Sequence, residues 1–193
     1  MARVGVLALQ GAFIEHVRAF ERLGAEAVEV RLPEQLQDLD GLVIPGGEST
    51  TMSLLMDSYA LREPVLELAG RGAPIWGTCA GMILLAKDVH DERVRTLQLM
   101  DLKVLRNAFG RQVDSFEADL RVPALGERPF PAVFIRAPIV EGAGDGVEVL
   151  ARLPDGRIVA AREGQFLATA FHPELTGDPR FHQLLLDMAN RKN

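Results

Sequence analysis

The single cysteine of the chain, Cys79, lies between two glycines in the segment Gly77-Thr78-Cys79-Ala80-Gly81. An apolar, strand-like segment precedes it and an apolar, helix-like segment follows it, which is typical of a nucleophile on a sharp strand-to-helix turn. Glycines on both sides leave room for such a turn. The N–H groups that begin the next helix favour a thiolate and can donate to an oxyanion. The alternative is that Cys79 is only a small buried apolar residue, as free cysteines often are.

A cysteine nucleophile needs a histidine that can accept its proton, and the chain has four histidines. His172 lies where a β-type run ends, because Pro173 stops the strand. In open α/β sheets, ligands bind at the carboxyl ends of strands. Glu174 can accept a hydrogen bond from the imidazole and fix its tautomer. Cys79, His172 and Glu174 are therefore predicted to act as nucleophile, base and orienting acid. The other histidines are expected to be structural: His16, His90 and His182.

The turn Pro45-Gly46-Gly47-Glu48-Ser49 follows another apolar run. Backbone N–H groups of Gly46 and Gly47 can form one half of an oxyanion hole, and the N–H of Ala80 can form the other half. The alternative is a tight strand-to-helix connection that needs glycine for its geometry. Ser49 or Thr50 is expected to cap the helix that follows.

Strand-like and helix-like segments alternate in the first half of the chain, and short β-type runs separated by glycine and proline fill the second half. The spacing predicts an α/β fold with a doubly wound, mostly parallel central sheet and helices on both faces. Additional antiparallel strands are expected in the second half, and residues 1–193 are expected to form a single domain. Strands are predicted at 4–9, 27–30, 41–44, 75–78, 97–105, 113–122, 132–135, 147–153, 157–163 and 165–171. Helices are predicted at 13–23, from 49 or 50 to 56, and at 62–69, 80–87 and 181–188.

The composition excludes several classes of function. Hydrophobic residues make up 48% of the chain and charged residues 25%, and the net charge is −6. With no long Lys/Arg cluster, neither nucleic acid nor an anionic membrane is an expected partner. No signal peptide or long apolar run is recognisable, so a cytoplasmic location is expected. One cysteine permits no internal disulfide and no cysteine-based metal site.

Three of these segments together resemble the class I, triad-type glutamine amidotransferases: Gly77-Thr78-Cys79-Ala80-Gly81, Pro45-Gly46-Gly47-Glu48-Ser49 and Phe171-His172-Pro173-Glu174. Four further segments narrow the resemblance to the glutaminase subunits of pyridoxal 5′-phosphate synthases. They are Leu7-Ala8-Leu9-Gln10-Gly11-Ala12, Glu48-Ser49-Thr50-Thr51, Arg106-Asn107-Ala108-Phe109-Gly110-Arg111-Gln112 and Phe134-Ile135-Arg136-Ala137-Pro138.

The resemblance implies that Cys79 attacks the side-chain carboxamide of L-glutamine, that His172 passes a proton to the leaving ammonia, and that Glu174 orients His172. A cysteinyl thioester is then hydrolysed to L-glutamate. The resemblance also implies a set of glutamine contacts: Gly47, Glu48, Ser49, Arg106, Ile135 and Arg136. A zwitterionic substrate needs a cationic group for its carboxylate and an acceptor for its ammonium. Otherwise the two arginines would be surface salt-bridge residues, and Glu48 would be an acid in the first turn of a helix.

The same resemblance implies that the ammonia passes to a partner, a (β/α)8-barrel subunit of pyridoxal 5′-phosphate synthase, within a hetero-oligomer. The chain itself is expected to hold no cofactor and no metal. Because glycine peptides flip easily, the turn at 46–47 is expected to keep an oxyanion donor misaligned until the partner binds. Gln10, after the first strand, is near enough to sense that partner. Two alternatives stay open: a γ-glutamyl hydrolase-like thiol hydrolase, and a non-catalytic subunit that only binds a partner.

Overall fold

The computed structural model describes residues 1–106 and 115–191, and this part of the chain contains twelve strands and five α-helices. The strands are β1 (Arg3–Leu7), β2 (Glu26–Val30), β3 (Gly41–Ile44), β4 (Ile75–Thr78), β5 (Ala86–Val89), β6 (Met100–Leu105), β7 (Ser115–Leu120), β8 (Phe130–Ile135), β9 (Ile139–Ala143), β10 (Glu148–Arg152), β11 (Ile158–Glu163) and β12 (Phe166–Thr169). The helices are α1 (Phe13–Arg22), α2 (Ser49–Ser58), α3 (Arg62–Gly70), α4 (Ala80–Leu85) and α5 (Arg180–Asn190). Short 3₁₀ turns cover Pro33–Leu36, Pro123–Leu125 and Pro173–Leu175.

One large sheet organises the described residues, with the strand order β2-β1-β3-β4-β12-β11-β9-β6-β5 and with β10 paired to β11. Strands β2, β1, β3, β4 and β12 run parallel to one another. Strand β11 pairs antiparallel with β9, β10 and β12, and β6 pairs antiparallel with β9. Strands β7 and β8 form a separate antiparallel pair. The predicted α/β fold, with a mostly parallel centre and antiparallel additions from the second half, is confirmed.

Helices pack against both faces of the parallel part of the sheet. Successive residues of a strand point to opposite faces. Trp76 of β4 packs against Phe181 of α5 and His16 of α1. The next residue, Gly77, lies on the other face, directly against Gly81 of α4. Because both faces are covered, all residues of β3 and β4 are buried, which explains their continuous apolar sequence.

The parallel strands end at one edge of the sheet, and this edge gathers the segments singled out by sequence. Strand β1 leads to Gln10, β3 leads to the glycine pair at 46–47, β4 leads to Cys79, and β12 leads to His172. The carboxyl ends of parallel strands share one edge, which is where ligands bind in open α/β sheets. Four segments far apart in the chain therefore meet.

The structure corrects the sequence prediction at two places in the sheet. The helix after the elbow ends at Leu85 rather than at 87, and the chain continues as β5, which pairs with β6 at the edge of the sheet. Strand β9 (Ile139–Ala143) is not predicted at all. Both segments are short, and their strand conformation depends on pairing with the distant β6. Residues 107–112 of one recognised motif, and 113–114 of a predicted strand, lie outside the described residues.

Candidate active site

The backbone of Cys79 is strained in the way that a nucleophile elbow requires. Its φ is 50° and its ψ is −105°, a conformation that residues other than glycine rarely adopt. Its N–H donates to the Thr169 carbonyl at 2.8 Å, which ties the elbow to β12. A Cβ atom at Gly77 would overlap the carbonyl of Gly81, and one at Gly81 would overlap the carbonyl of Ile44. The two glycines are therefore required by close packing.

His172 and Glu174 lie beside this elbow. The Nδ1 atom of His172 is 2.7 Å from Oε1 of Glu174, and the Glu174 side chain is fully buried. The backbone N–H of His172 donates to the Val133 carbonyl at 2.8 Å, so β8 helps to fix the position of His172. Burial alone lowers the pKa of His172, but hydrogen bonds and charge from Cys79 and Glu174 outweigh burial and raise that pKa to about 10. This environment favours the imidazolium form of His172 at neutral pH.

Gly46 lies against both His172 and Cys79. A Cβ atom on Gly46 would overlap Cε1 of His172 and would lie 3.3 Å from Cβ of Cys79. On its other side, the Gly46 carbonyl oxygen lies so close to Gly11 that no side chain fits there, and Gly11 has a φ of +83°. In a trans peptide the N–H of Gly47 points opposite to the Gly46 carbonyl, and so away from Gly11. The orientation of this one peptide decides where the turn directs its N–H donor.

A cavity of about 430 Å³ opens beside Cys79, within the range of about 300–1,000 Å³ found for small-molecule sites. It is lined by Gln10, Gly11, Gly47, Glu48, Ser49, Cys79, Ala80, Ile83, Arg106 and Arg136. Most of the residues predicted to hold substrate therefore surround one cavity. The Ser49 hydroxyl is buried and has no hydrogen-bond partner among the described residues.

Strand β8 brings two further predicted residues to the cysteine. The carbonyl oxygen of Ile135 is 3.9 Å from Sγ of Cys79. Arg136, the next residue, has a φ of 43° and lines the cavity. The positive φ turns the chain at the end of β8, which brings backbone and side chain of consecutive residues to the same site.

Glu48, rather than Ser49 or Thr50, caps helix α2. Its carboxylate accepts from the N–H groups of Thr50 at 3.1 Å and Thr51 at 2.7 Å, so the predicted serine or threonine cap is wrong. Burial would raise the pKa of Glu48, but these backbone and hydroxyl hydrogen bonds lower it to about 2. The carboxylate has two acceptor oxygens, so it can accept from two N–H groups that lie two and three residues further along the chain.

Arg106 is paired with two carboxylates at the cavity wall. Its guanidinium donates to Glu48 at 2.9 Å, to Thr50 at 3.2 Å and to Asp91. The pKa of Asp91 lies well below its usual range because of hydrogen bonds from Arg93 and the charge of Arg106. A substrate carboxylate at Arg106 would have to share this cation with both acids. Sequence reasoning missed Asp91, which lies in a charged loop without any motif.

The side chain of Gln10 connects the end of β1 to the glycine turn. Its Oε1 accepts from the N–H of Glu48 at 3.0 Å. A Cβ atom on Gly47 would lie 3.1 Å from the same oxygen. Gln10 therefore contacts the segment whose peptide orientation matters for the oxyanion.

The histidines expected to be structural do not all lie apart from the site. His90 is half exposed, 3.0 Å from Glu141. By contrast, His16 is fully buried, and its Nε2 is 3.3 Å from Oε2 of Glu174. Its Nδ1 is 2.9 Å from Nε2 of His182, which is also buried. The available signal was a histidine within the apolar stripe of α1.

Two absences concern the described residues alone. Within residues 1–106 and 115–191, no group of three or more histidine, cysteine or acidic side chains could hold a metal ion. No helix of this part of the chain is long and apolar enough to cross a membrane.

A separate cavity of about 400 Å³ beside α3 is lined by Arg62, Lys87 and Arg95 among others, without a cysteine or histidine.

Comparison with known proteins agrees with this geometry. The model of the SNO glutamine amidotransferase family matches residues 6–191. The chain belongs to this family. A relative from Herpetosiphon aurantiacus, named pyridoxal 5′-phosphate synthase subunit PdxT, is 62% identical over 188 residues, which are 96% of this chain and 99% of that protein. A protein of the same name from Dehalococcoides mccartyi is 61% identical over 189 residues, with 97% of each chain covered. A crystal structure of a glutamine amidotransferase superposes with a TM-score of 0.91 at 50% identity, covering 97% of this chain and 98% of the other.

Proposed function

We propose that this chain is the glutaminase subunit of a pyridoxal 5′-phosphate synthase and hydrolyses L-glutamine to L-glutamate and ammonia for vitamin B6 biosynthesis. The observation that carries the proposal is the constellation at the sheet edge. Cys79 stands on a strained elbow beside His172, and His172 is held by the buried Glu174 at 2.7 Å. We also propose that residues 1–193 work as one glutamine amidotransferase domain.

The reaction would run in two halves. The thiolate of Cys79 attacks the carboxamide carbon of glutamine, and the carbonyl oxygen becomes an oxyanion. The C–N bond then breaks, protonated His172 gives its proton to the departing ammonia, and a thioester remains. Water attacks the thioester and gives a proton to His172. The C–S bond breaks, glutamate leaves, and the thiolate–imidazolium pair is restored. Throughout, Glu174 stabilises the imidazolium and fixes its orientation.

The oxyanion would be held by backbone donors from two segments. The N–H of Ala80 opens helix α4 directly after the nucleophile, and the Gly46–Gly47 turn lies on the other side of Cys79. One such donor is typically worth about 10² to 10³ in kcat. The proposed misalignment of the glycine peptide before the partner binds would therefore be enough to switch the activity.

The cavity would hold the glutamine backbone. We assign its charged ends to Arg106, Arg136 and Glu48, with Gly47, Ser49 and the Ile135 carbonyl as neighbouring polar contacts. The positions of Ser49 and of the cationic Arg136 at the cavity wall support this assignment. The pairing of Arg106 with Glu48 and Asp91 gives that cation a fixed direction before substrate arrives.

Free ammonia would be protonated and lost to solvent, so we propose delivery within a complex. Relatives at about 60% identity are named subunits of pyridoxal 5′-phosphate synthase. We assign the acceptor as a synthase subunit with a (β/α)8-barrel fold, in a cytoplasmic hetero-oligomer, with Gln10 as the residue that senses it. The pyridoxal phosphate would be made on that partner.

The test is glutamine-dependent and ammonium-dependent synthesis by the chain mixed with its candidate synthase, comparing wild type with Cys79→Ala. The proposal expects the variant to lose synthesis from glutamine and to leave synthesis from ammonium salts unchanged. Glutamine use by Cys79→Ala at the wild-type rate would overturn it and favour a non-catalytic subunit. Hydrolysis of γ-glutamyl peptides in preference to glutamine would favour the γ-glutamyl hydrolase alternative.

A further inference from the structure

The carboxylate of Glu174 has one oxygen whose hydrogen bonding the triad does not explain. Oε1 is 2.7 Å from His172, but Oε2 has no aligned hydrogen bond among the described residues, although the side chain is fully buried. A buried carboxylate oxygen without a donor is costly. The N–H-bearing group that faces it is the ring of His16, whose Nε2 is 3.3 Å from Oε2.

The second ring nitrogen of His16 decides which tautomer can serve Glu174. Nδ1 of His16 is 2.9 Å from Nε2 of His182, so one of these atoms donates and the other accepts. If Nδ1 of His16 donated, its Nε2 would turn a lone pair towards an ionised carboxylate. If Nε2 of His182 donates instead, the proton of His16 lies on Nε2 and faces Glu174. Only the second arrangement is compatible with a charged Glu174.

Packing holds both rings in place between helices α1 and α5. The centroid of the His182 ring is 5.0 Å from those of Trp76 and Phe20, and the centroid of the His16 ring is 5.4 Å from that of Trp76. Thr78, one residue before the nucleophile, has its hydroxyl 3.5 Å from Nε2 of His16. These contacts restrict the imidazoles to rotations that keep the chain of nitrogens aligned with the carboxylate.

Both imidazoles are kept neutral, as the arrangement requires. Burial is the main cause that lowers the pKa of His16 well below its usual range, and the nearby imidazoles of His182 and His172 further disfavour a charge on it. Burial and the charge of Arg22 lower the pKa of His182 to about 3. Nδ1 of His182, the acceptor at the far end, has no partner among the described residues. His182 lines a cavity of about 240 Å³, together with Arg22 and Asp178.

We propose that His16, fixed in its Nε2–H tautomer by His182, is a positioning residue that donates the second hydrogen bond to Glu174 and so holds the triad carboxylate in place. This rests on the proposed glutaminase function. His16 and His182 touch neither substrate nor reacting atoms.

Four variants separate positioning from packing. His16→Phe keeps a ring but removes the donor, while His16→Gln keeps an N–H group at the position of Nε2. His182→Phe keeps the aromatic packing and removes the group that sets the tautomer. Val65→Ala, at a fully buried position of α3, is a matched control that destabilises the core without removing a polar atom.

Each full-length variant would be measured in two ways. With the candidate synthase, kcat and KM for glutamine are determined. In the isolated chain, the pH profile of Cys79 alkylation by iodoacetamide reports the thiolate–imidazolium pair without glutamine. Thermal unfolding of each variant shows how much of any loss is due to stability.

We expect His16→Phe to lower kcat roughly 5-fold to 100-fold, the range for one buried acceptor left without a donor, with KM unchanged. Its upper alkylation pKa, which belongs to His172, should fall. His182→Phe should also lower kcat and the upper alkylation pKa. His16→Gln should retain most of the wild-type kcat. Val65→Ala should keep the wild-type kcat and alkylation profile at a lower Tm.

Wild-type kcat and alkylation profile in His16→Phe would overturn the inference. Equal losses in the Phe and Gln variants would also overturn it, because packing alone would then explain both. If the wild-type complex does not hydrolyse glutamine, the proposed function fails, but the alkylation profiles still test the role of His16.

Discussion

The charge of Glu174 can be removed without changing its shape by the substitution Glu174→Gln. Burial alone would lower the pKa of His172, yet contacts with Cys79 and Glu174 raise it from 6.5 to about 10. Such a rise corresponds to about 5 kcal/mol in favour of the imidazolium. Because the two partners also offset burial, the carboxylate supplies at least about 2 to 3 kcal/mol if they contribute comparably, or roughly 30-fold to 150-fold in rate. The corresponding carboxylate-to-amide change in serine protease triads costs about 10⁴ in kcat.

We therefore expect Glu174→Gln to lower kcat for glutamine between about 30-fold and 10⁴-fold. KM should change little, because Glu174 does not line the substrate cavity. The assay is glutamate release by the chain assembled with its candidate synthase, over a range of pH. Glu117→Gln, at an exposed position of β7, is the matched control and should behave as wild type. A Glu174→Gln enzyme within threefold of wild type at every pH would refute the role of this carboxylate.

Three further predictions concern the turn, the partner and pH. Gly46→Ala should abolish glutaminase activity, because a Cβ there overlaps His172, whereas Gly70→Ala, which meets no atom within 4 Å, should be neutral in the same assay. Glutamate release by the wild type should rise at least tenfold when the synthase subunit is added, because the partner aligns one oxyanion donor. The rise should be smaller for Gln10→Ala. Equal kcat with and without the partner would contradict this prediction. The pKa of His182 is lowered to about 3, so below pH 6.5 the unfolded chain binds a proton that the folded chain does not. The free energy of unfolding therefore decreases as the pH is lowered from 6.5 towards 3. Urea unfolding at pH 7.5 and 5.0 should show a loss of about 2 kcal/mol from this group, absent in His182→Phe.

Much of the fold could be predicted from local sequence. All five helices were predicted, as were the parallel strands β1, β3 and β4, because continuous apolar runs and glycine stops report local geometry. The elbow at Cys79 and the turn at 46–47 were predicted for the same reason, since their glycines reflect backbone constraints within the segment. Strands β5 and β9 were missed because their conformation depends on pairing with β6 rather than on their own residues.

In the candidate site, too, the features that depend on local sequence could be predicted, and the contacts between distant segments could not. Sequence alone identified a thiol on an elbow, a histidine at a strand end, an acid two residues later and an opposing glycine turn. Each of these features is encoded within a few consecutive residues, so each segment specifies its own backbone. Their roles in glutamine hydrolysis stay predictions until the substitutions are measured.

Only the tertiary structure decided which side chains complete the site. Glu48 pairs with Arg106, Asp91 joins that pair, and His16 lies against Glu174. These contacts link residues far apart in sequence, and charged or imidazole side chains carry no local sign of the partner they will meet. Whether a histidine in an apolar helix face is packing or part of a site depends on what the opposite element presents to it. For His16 that element is the 3₁₀ turn Pro173–Leu175, more than 150 residues away.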